Sequence, residues 1–437
     1  MIIKNKKAIL LGFISTITAS LIFATSANAE SAESPSSQQT SKLQAYLKFT
    51  KIVQIIEDQY VDDINASDII NNALKGMLSN LDAHSSFMDA KETKELQVQT
   101  HGEFGGLGIT VGMKDGALTV IAPLEGTPAD RAGIKAGDII LKINDLATMG
   151  MTIDKAVSLM RGKPNTPIEL MIVREGENKP LKIKIIRDII EIQSVYSKTI
   201  GDDILYLRVT SFDKKVVNGI KKAMKAHPER TGIIIDLRNN PGGLLDQAIG
   251  TVDLFVDKGA IVSQKGKVAE ENVVYNATAQ GTNRDIPLVV LVNGGSASAS
   301  EIVSGALQDH KRAVVVGKKT FGKGSVQVVM PINQDEALRL TIARYYLPSG
   351  RTIQAVGVTP DIEVDYGEIQ KVEEGISIKE KDLQKHLERE LEKVDGKHKR
   401  KDKTKDKTHI TEEQIYKDAQ LKSAIDILKA LMITNNI

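Results

Sequence analysis

Two short apolar runs constrain the fold of this chain more than any other feature. Residues 231–237 (TGIIIDL) and 286–292 (IPLVVLV) lack the alternation of a half-buried strand, and each ends in a glycine-rich loop, RNNPGG or NGG. Such runs are typical of strands buried on both faces of a parallel sheet. Because the functional loops of α/β folds follow the carboxyl ends of their strands, we predict an α/β core with its site at these loops. Further strands are predicted at residues 312–316, 326–330 and 338–343.

The second loop runs into a sequence with the residues for nucleophilic chemistry. GGSASASE at 294–301 places Ser296, Ser298 and Ser300 at the start of a predicted helix, and Lys323, in FGKG, follows Ser298 by 25 positions. A buried, neutral lysine can act as the base for a serine, provided that its pKa falls from about 10.4 by roughly 2–3 units. Taken singly, Ser296 and Ser300 fit helix caps or solvent-facing serines, and lysine is usually a surface residue. The joint spacing favours a Ser/Lys site.

Composition removes several other classes of site. The 437 residues are enough for two or three domains and include no cysteine, which excludes a thiol nucleophile, a disulfide framework and a thiolate metal site. No HExxH is present, and neither the trypsin-like GDSGG nor the lipase GxSxG pattern occurs, so we reject a zincin site and a Ser/His/Asp triad. We expect His84 to serve packing, His310 to end a helix and Asp236 to organise its loop.

Residues 102–187 carry a second signature. The glycine-rich turn GGLGITV at 105–111 leads into a strand, and AGIKAGDIILKIN follows at 132–144. This segment resembles a PDZ domain, in which backbone N–H groups of a glycine loop hold a terminal carboxylate and the next strand pairs with an extended peptide. A loop that merely makes a turn is the alternative. Helix 154–160 would form the second wall of the groove, and the predicted peptide-binding residues are Gly105, Gly106, Leu107, Gly108 and Ile109.

The two ends of the chain differ from its body. A basic start, an apolar stretch and the small-residue site at 27–29 predict a signal peptide over 1–29, with an uncleaved membrane anchor as the alternative. Residues 30–42 read as a linker, and helical periodicity begins at Leu43, with a second helix at 67–81. Near the other end, a charged helix is predicted around Leu383, Leu387 and Leu391, then a lysine-rich low-complexity run at 397–407 and an amphipathic helix at 414–432.

The motifs together resemble one family, the carboxyl-terminal processing or tail-specific proteases. The resemblance covers about residues 43–365 and rests on the PDZ segment and on DLRNNPGG at 236–243, SASASEI at 296–302, TFGKGSVQ at 320–327, GMLSNLDAHS at 76–85, GRTIQ at 350–354 and GVTPD at 357–361. It implies a ClpP/crotonase-like α/β protease core with a PDZ domain inserted ahead of it. It also implies that Ser298 is the nucleophile, Lys323 the base and Gln327 the third member, on the same strand face as Lys323. Gly243 and Ala299 would supply the oxyanion hole, and no cofactor or metal is implied.

These expectations divide the chain as follows: signal peptide 1–29, linker 30–42, helical region 43–98, PDZ domain 99–187, protease core 188–365 and charged helical extension 366–437. We expect an exported, periplasmic serine endopeptidase acting at protein C-termini, a homo-oligomer through its N- and C-terminal helices, and no nucleic-acid partner. A regulatory adaptor lipoprotein or a murein-related partner is left open. Two alternatives also remain: a non-catalytic periplasmic PDZ scaffold, and a crotonase-type acyl-transfer enzyme.

Overall fold

The computed structural model describes residues 35–279, 283, 285–369 and 408–434, with side chains from residue 41 onward. Of the described residues, those up to Leu74 form one compact unit, and those from Lys75 onward form another. The predicted signal peptide, the charged helix around Leu387 and the basic run at 397–407 lie outside the described residues. Among the helices that are described, none is both long and apolar enough to cross a membrane.

Ordinary capping signals bound the helix Ala90–His101 (α3). Asp89 caps α3 and forms a capping box with Glu92, and Gly102 in the left-handed conformation ends that helix. The predicted linker 30–42 is wrong from Pro35 onward, because a proline in the first turn followed by Gln and Lys is compatible with helix. The helices are α1 (Pro35–Gln59), α2 (Ala66–Ser79), α3 (Ala90–His101), α4 (Pro128–Arg131), α5 (Ile153–Met160), α6 (Val216–Ala226), α7 (Leu245–Asp253), α8 (Ala299–Asp309), α9 (Glu412–Tyr416) and α10 (Ala419–Thr434).

The strands form four sheets in the described part of the chain. They are β1 (Ser86–Met88), β2 (Glu103–Gly106), β3 (Ile109–Lys114), β4 (Ala117–Pro123), β5 (Ile139–Ile143), β6 (Leu146–Ala147), β7 (Pro167–Val173), β8 (Leu181–Ile186), β9 (Asp188–Glu191), β10 (Val195–Ile200), β11 (Ile204–Val209), β12 (Gly232–Asp236), β13 (Ala260–Gly266), β14 (Val273–Asn276), β15 (Leu288–Val292), β16 (Val314–Gly317), β17 (Ser325–Pro331), β18 (Ala337–Tyr346) and β19 (Ile362–Glu363).

The central sheet confirms the α/β core. Its order is β10-β11-β12-β15-β16-β19, and every pairing from β11 to β19 is parallel. Helices α6, α7 and α8 contribute to the large core on one face, whose largest fully buried side chains include Phe212 and Phe255. Because the opposite face is covered as well, β12 and β15 are buried at every position, which accounts for their unbroken apolar sequence.

The covering of that opposite face was not predicted. Helix α10 packs Ala424, Ile425 and Leu428 against Ile234 and Leu291 of the sheet. The predicted helix at 414–432 is divided into α9 and α10, with Asp418 between them. Residues 408–434 are therefore part of the core in three dimensions, although the sequence assigned them to a separate charged extension.

Two further sheets complete the core and the PDZ domain. An antiparallel sheet contains β1-β18-β13-β14, with β17 also paired to β18. The PDZ domain has the order β3-β4-β5-β7-β8, with β6 on β5 and its own buried apolar cluster. Its entry and exit segments, β2 and β9, pair with each other from Glu103 opposite Glu191 to Gly106 opposite Asp188. This two-stranded ribbon is the connection between the PDZ domain and the core.

Candidate active site

Ser298 occupies a strained position at the start of α8. It precedes the first helical residue and has φ 53° and ψ −110°, a conformation that residues with a side chain rarely adopt. Its neighbours Ala297 and Ala299 are buried, whereas Ser298 itself is only half-buried. The turn from β15 into α8 therefore presents one serine of the motif to the cleft, at the positive end of a helix dipole.

The flanking serines have a different role. Ser296 and Ser300 are fully buried, and their hydroxyls donate to the carbonyl oxygens of Leu237 at 2.8 Å and Asn240 at 2.9 Å. They are neither helix caps nor solvent-facing, so both readings from the sequence are wrong. They hold the Ser298 turn against the loop that follows β12, because each hydroxyl donates to a backbone carbonyl of that loop.

The glycine loop after β12 lies directly against Ser298. Gly242 and Gly243 have φ 102° and 146°, and a Cβ on Gly242 would lie 2.9 Å from the Cβ of Ser298. Only glycine permits this approach. Within the described residues, the N–H groups of Gly243 and Ala299 have no intramolecular acceptor. Asn240 fixes the loop, since its Oδ1 accepts from the Gly242 N–H at 2.9 Å and its Nδ2 donates to the Val209 carbonyl at 2.9 Å.

Lys323 lies half-buried in the loop before β17. Burial lowers its pKa below the ordinary lysine value, the charge of Arg339 lowers it further, and the carboxylates of Asp82 and Glu301 oppose the shift. In the part of the chain that the structure describes, no hydrogen bond joins the Lys323 amine to Ser298 or Gln327. The lysine also does not line the cavity at Ser298. The observed arrangement therefore has a lysine with a lowered pKa that is not hydrogen-bonded to the serine.

Gln327 differs from its predicted arrangement. Its Nε2 donates to Ser325 Oγ at 2.7 Å and to the Ser325 carbonyl at 3.1 Å, and not to Lys323. The prediction that residues 323 and 327 share a strand face is wrong for two reasons. Lys323 precedes the first strand residue, Ser325, and a bulge between Val326 and Gln327 interrupts the alternation.

Glu301 connects the serine turn to the lysine loop, and the sequence reasoning gave it no role. It is fully buried, and its Oε2 accepts from the Ser298 N–H and the Lys323 N–H, each at 2.8 Å. Its Oε1 accepts from the Gly322 N–H at 2.7 Å and the Thr320 hydroxyl at 2.6 Å. Its place three residues after the helix cap is the capping-box position, which could have predicted the contact with the Ser298 N–H but not those with the lysine loop.

A cavity of about 410 Å³ opens beside Ser298. Gly243, Ser325, Gln327 and Asp246 line it together with an apolar set, and that set consists of Leu244, Leu245, Ile249, Tyr275 and Tyr345. The cavity can therefore hold an uncharged side chain next to the serine hydroxyl.

The remaining polar candidates are structural. Asp236 is buried between Arg208, Arg238 and the Tyr206 hydroxyl, and it accepts from the Arg238 N–H at 2.9 Å, so it organises its loop as predicted. His310 ends α8, and its Nε2 lies 2.8 Å from the Ala260 carbonyl. Among the described residues, no cluster of His, Asp or Glu has the arrangement of a metal site.

The PDZ groove is present between β3 and α5. A cavity of about 270 Å³ is lined by Gly106, Leu107, Gly108 and Ile109 and, on the opposite wall, by Val157 and Met160. Gly105 does not line it; this residue borders a neighbouring cavity beside Pro164 instead. Arg161 also lines the groove, and its guanidinium lies 4.6 Å from the centroid of the Phe104 ring.

Comparisons with known proteins agree with this architecture. The model of peptidase family S41 matches residues 203–364, a PDZ domain model matches 119–174, and the model of the activating protease CtpB N-terminal domain matches 10–93. A carboxy-terminal-processing protease of Bartonella bacilliformis is 45% identical over 346 residues, covering 78% of this chain and 80% of the relative. Carboxy-terminal processing protease CtpA of Bacillus subtilis is 34% identical over 74% of this chain and 70% of its own length. The solved photosystem II D1 C-terminal processing protease is 26% identical with a TM-score of 0.42, covering 73% of this chain and 92% of that one.

Proposed function

Because the chain belongs to peptidase family S41 and is a C-terminal processing serine protease with a PDZ domain, we propose that Ser298 is its nucleophile and Lys323 its general base. The observation that carries this proposal is the buried carboxylate of Glu301, which accepts from the backbone N–H of both residues at 2.8 Å. A single carboxylate thus holds together two loops that lie 25 positions apart in the sequence.

The mechanism follows from the groups around the cleft. Neutral Lys323 takes the proton of the Ser298 hydroxyl as the oxygen attacks the scissile carbonyl, and the resulting ammonium gives that proton to the leaving amine. Water, deprotonated by the same lysine, then hydrolyses the acyl-enzyme and regenerates the serine. The N–H groups of Gly243 and Ala299 stabilise the oxyanion. Lys323 must first turn toward Ser298. Gln327, whose Nε2 donates to Ser325 Oγ in the observed arrangement, must turn toward the Lys323 amine in order to hold it.

The substrate is a protein tail with an uncharged residue before the scissile bond. The apolar part of the cavity lining beside Ser298 supports this preference, and the Asp246 carboxylate on the same wall disfavours a negatively charged side chain. The PDZ groove would take the free C-terminus, with its carboxylate at residues 106–108 and its backbone paired to β3. The apolar wall at Val157 and Met160 favours an apolar terminal residue.

Export and self-association complete the proposal. A cleaved signal peptide at 1–29 would place the protease in the periplasm. N-terminal sequencing of the mature protein tests whether the signal peptide is cleaved. Helix α1 exposes Tyr46, Leu47 and Phe49, which supports a homo-oligomer through this helix, and light scattering of the mature protein tests the oligomeric state. An adaptor lipoprotein or murein-related partner stays a proposal without a structural argument.

The test of the catalytic assignment is a matched pair of serine variants. Ser298→Ala should abolish cleavage of an unfolded substrate while the thermal melt stays close to that of the wild type. Ser296→Ala removes a buried hydrogen bond to Leu237 and should lower stability by about 1 kcal/mol, yet retain activity. Near-normal turnover by Ser298→Ala would show that the nucleophile lies elsewhere. Binding of the substrate without cleavage by the wild type would instead favour the alternative of a non-catalytic scaffold.

A further inference from the structure

Helix α5, the second wall of the PDZ groove, is held at its C-terminal end by a side chain from another element. The helix has only 8 residues and no basic residue in its last turn, so its final carbonyl groups need partners from elsewhere. Arg187, which connects β8 to β9, supplies them: its Nε donates to the Met160 carbonyl at 2.9 Å and its Nη2 to the Leu159 carbonyl at 2.8 Å. Because so short a helix is unstable in isolation, these bonds help to fix where it lies.

The same arginine is bonded to the far end of the connection from α5 to β7. Its Nη1 donates to Thr166 Oγ1 at 3.1 Å and to the Pro167 carbonyl at 3.2 Å. The backbone adds two bonds: the Arg187 N–H donates to the Thr166 carbonyl at 2.9 Å, and the Asn165 N–H donates to the Arg187 carbonyl at 2.8 Å. Both ends of the connection are therefore bonded to Arg187.

Two close glycine contacts join this connection to the glycine-rich turn on the other side of the groove. The Gly162 N–H donates to the Gly105 carbonyl at 3.1 Å. A Cβ on Gly105 would lie 2.0 Å from the Gly162 carbonyl oxygen, and a Cβ on Gly162 would lie 2.8 Å from Arg187 Nε. Only glycine permits these approaches without displacement. The two walls of the groove therefore meet at Gly162, with the Arg187 side chain next to it.

The charge of Arg187 is retained in a place where it is costly. The side chain is buried, and in the part of the chain that the structure describes its guanidinium forms no ion pair. Burial lowers the pKa of Arg187 below the ordinary arginine value. Burying a cation is unfavourable unless oxygen atoms replace its water, and here all of those oxygens belong to α5 and the connection to β7. A side chain that only filled space could be apolar, so the guanidinium is best explained by the geometry that it imposes on this segment.

We propose that Arg187 is a positioning residue for substrate binding: it holds the C-terminal turn of α5 against the glycine-rich turn and thereby sets the width of the groove for the last residue of the substrate tail. The inference rests on the proposed capture of a free C-terminus by the PDZ groove. Met160 shows the link most directly, because this residue lines the groove and its carbonyl accepts from Arg187.

Two Arg→Lys substitutions within the PDZ domain form a matched pair for the test. Arg187→Lys keeps the positive charge, but a single ammonium group cannot span the acceptors that the planar guanidinium reaches. Arg174→Lys is the control, because Arg174 is also partly buried but donates to the Asp138 carboxylate and the Gly133 carbonyl instead. Both substitutions should lower the melting temperature, so a loss of stability alone would affect the two variants alike.

The first readout is binding, measured in a Ser298→Ala background so that the peptide is not cleaved. The probe is a short peptide, labelled at its N-terminus, that ends in leucine with a free carboxylate, and fluorescence anisotropy gives its Kd. The Kd should rise roughly tenfold in Arg187→Lys and stay unchanged in Arg174→Lys. In the active enzyme, Arg187→Lys should raise KM for a substrate with a free C-terminus and leave kcat unchanged, which is the signature of lost uniform binding.

Each outcome bears on a separate part of the inference. An unchanged Kd in Arg187→Lys, or an equal rise in Arg174→Lys, would overturn the positioning role. If Arg187→Lys does not fold, Gly162→Ala decides, since its Cβ would displace the guanidinium, and an unchanged Kd in that variant refutes the inference. Wild-type protein that binds the free-acid peptide and its amidated twin equally would refute tail capture and the inference with it. Preference for the free acid that Arg187→Lys leaves intact would refute the inference alone.

Discussion

Glu301 is the residue whose loss should harm the site most without touching substrate. In Glu301→Gln, one carboxylate oxygen is replaced by an amide NH₂ group, which cannot accept a hydrogen bond. Either the N–H groups of Ser298 and Lys323 or the Gly322 N–H and the Thr320 hydroxyl therefore lose their acceptor. Misplacement of the two catalytic groups should lower kcat on the order of 10²-fold with little change in KM. Steady-state kinetics on an unfolded substrate measure this, with the exposed Glu95→Gln as a control that should behave as wild type. Equal kcat values for the two variants would show that Glu301 does not position Ser298 and Lys323.

The pH dependence of activity provides the test of Lys323 itself. Its pKa is lowered by burial, and the neutral form is the base, so the rate should rise with pH through this lowered pKa and level off below the ordinary lysine range. Lys323→Arg should lose activity on the order of 10²-fold or more at every pH, because arginine cannot deprotonate. Lys323→Ala provides the reference. Activity in Lys323→Arg well above that of Lys323→Ala would contradict a Ser/Lys mechanism.

Single residues also show how far a sequence can predict this site. Ser298 and Gly243 line one cavity, as expected, because strand ends and glycine loops can be recognised from short stretches of sequence. The contact of Gln327 was not predictable, because a bulge at Val326 leaves no clear mark in the sequence. Glu301 was missed because its partners Gly322 and Lys323 are distant in the chain and meet it only in the folded state.

Elements were predicted best where a repeating pattern and a turn signal coincide. Strands β12 and β15, helix α8 and the PDZ strands follow such signals and lie near their predicted places. The sequence assigned helix α10 to a charged extension, because the charged segment before it resembles a domain boundary. In the structure, the apolar face of α10 packs on the central sheet. Sequence separation thus concealed a contact between the last helix and the catalytic core.

The residue just before α10 forms a partly buried ion pair with the core that should matter for stability. Arg238, at the base of the glycine loop, donates to both carboxylate oxygens of Asp418 at 2.9 and 2.7 Å. Burial would raise the pKa of Asp418, but Arg238 and the backbone N–H of Leu421 lower it. Asp418→Asn should therefore reduce the free energy of unfolding by about 1–3 kcal/mol at neutral pH.

The sign of the pH effect follows from the lowered pKa of Asp418. Its contribution is present above the ordinary carboxyl pKa of about 3.9 and is lost as the pH falls through the lowered value. Urea titrations at neutral and at acid pH should show the variant and the wild type converging in acid. Asp426→Asn, in an exposed pair with Lys422 on α10, is the control and should stay within about 0.5 kcal/mol of wild type. A difference between Asp418→Asn and the wild type that persists unchanged in acid would contradict the ion-pair account.

At the scale of the whole molecule, a continuous set of contacts joins the PDZ ribbon to the glycine loop after β12. Lys215 lies 3.0 Å from Glu103 of β2 and 3.1 Å from Glu191 of β9. A few residues earlier in the same loop, the Phe212 N–H donates to the Gly242 carbonyl at 2.9 Å. A displacement of the ribbon would therefore reach the glycine loop through one short segment of the core.

Tail capture by the PDZ groove predicts a preference that substrate chemistry can reveal. A model substrate with a free C-terminal carboxylate should be cleaved with a lower KM than its amidated twin, because only the former can bind the N–H groups at residues 106–108. Val157→Gln places a polar group in the apolar wall of the groove and should raise KM for the free-acid substrate roughly tenfold, the equivalent of about 1.4 kcal/mol. Ser158→Gln introduces the same side chain at the next, exposed position of α5 and should leave KM unchanged. Equal KM values for the two substrates in the wild type would remove carboxylate capture from the mechanism, whatever the variants do.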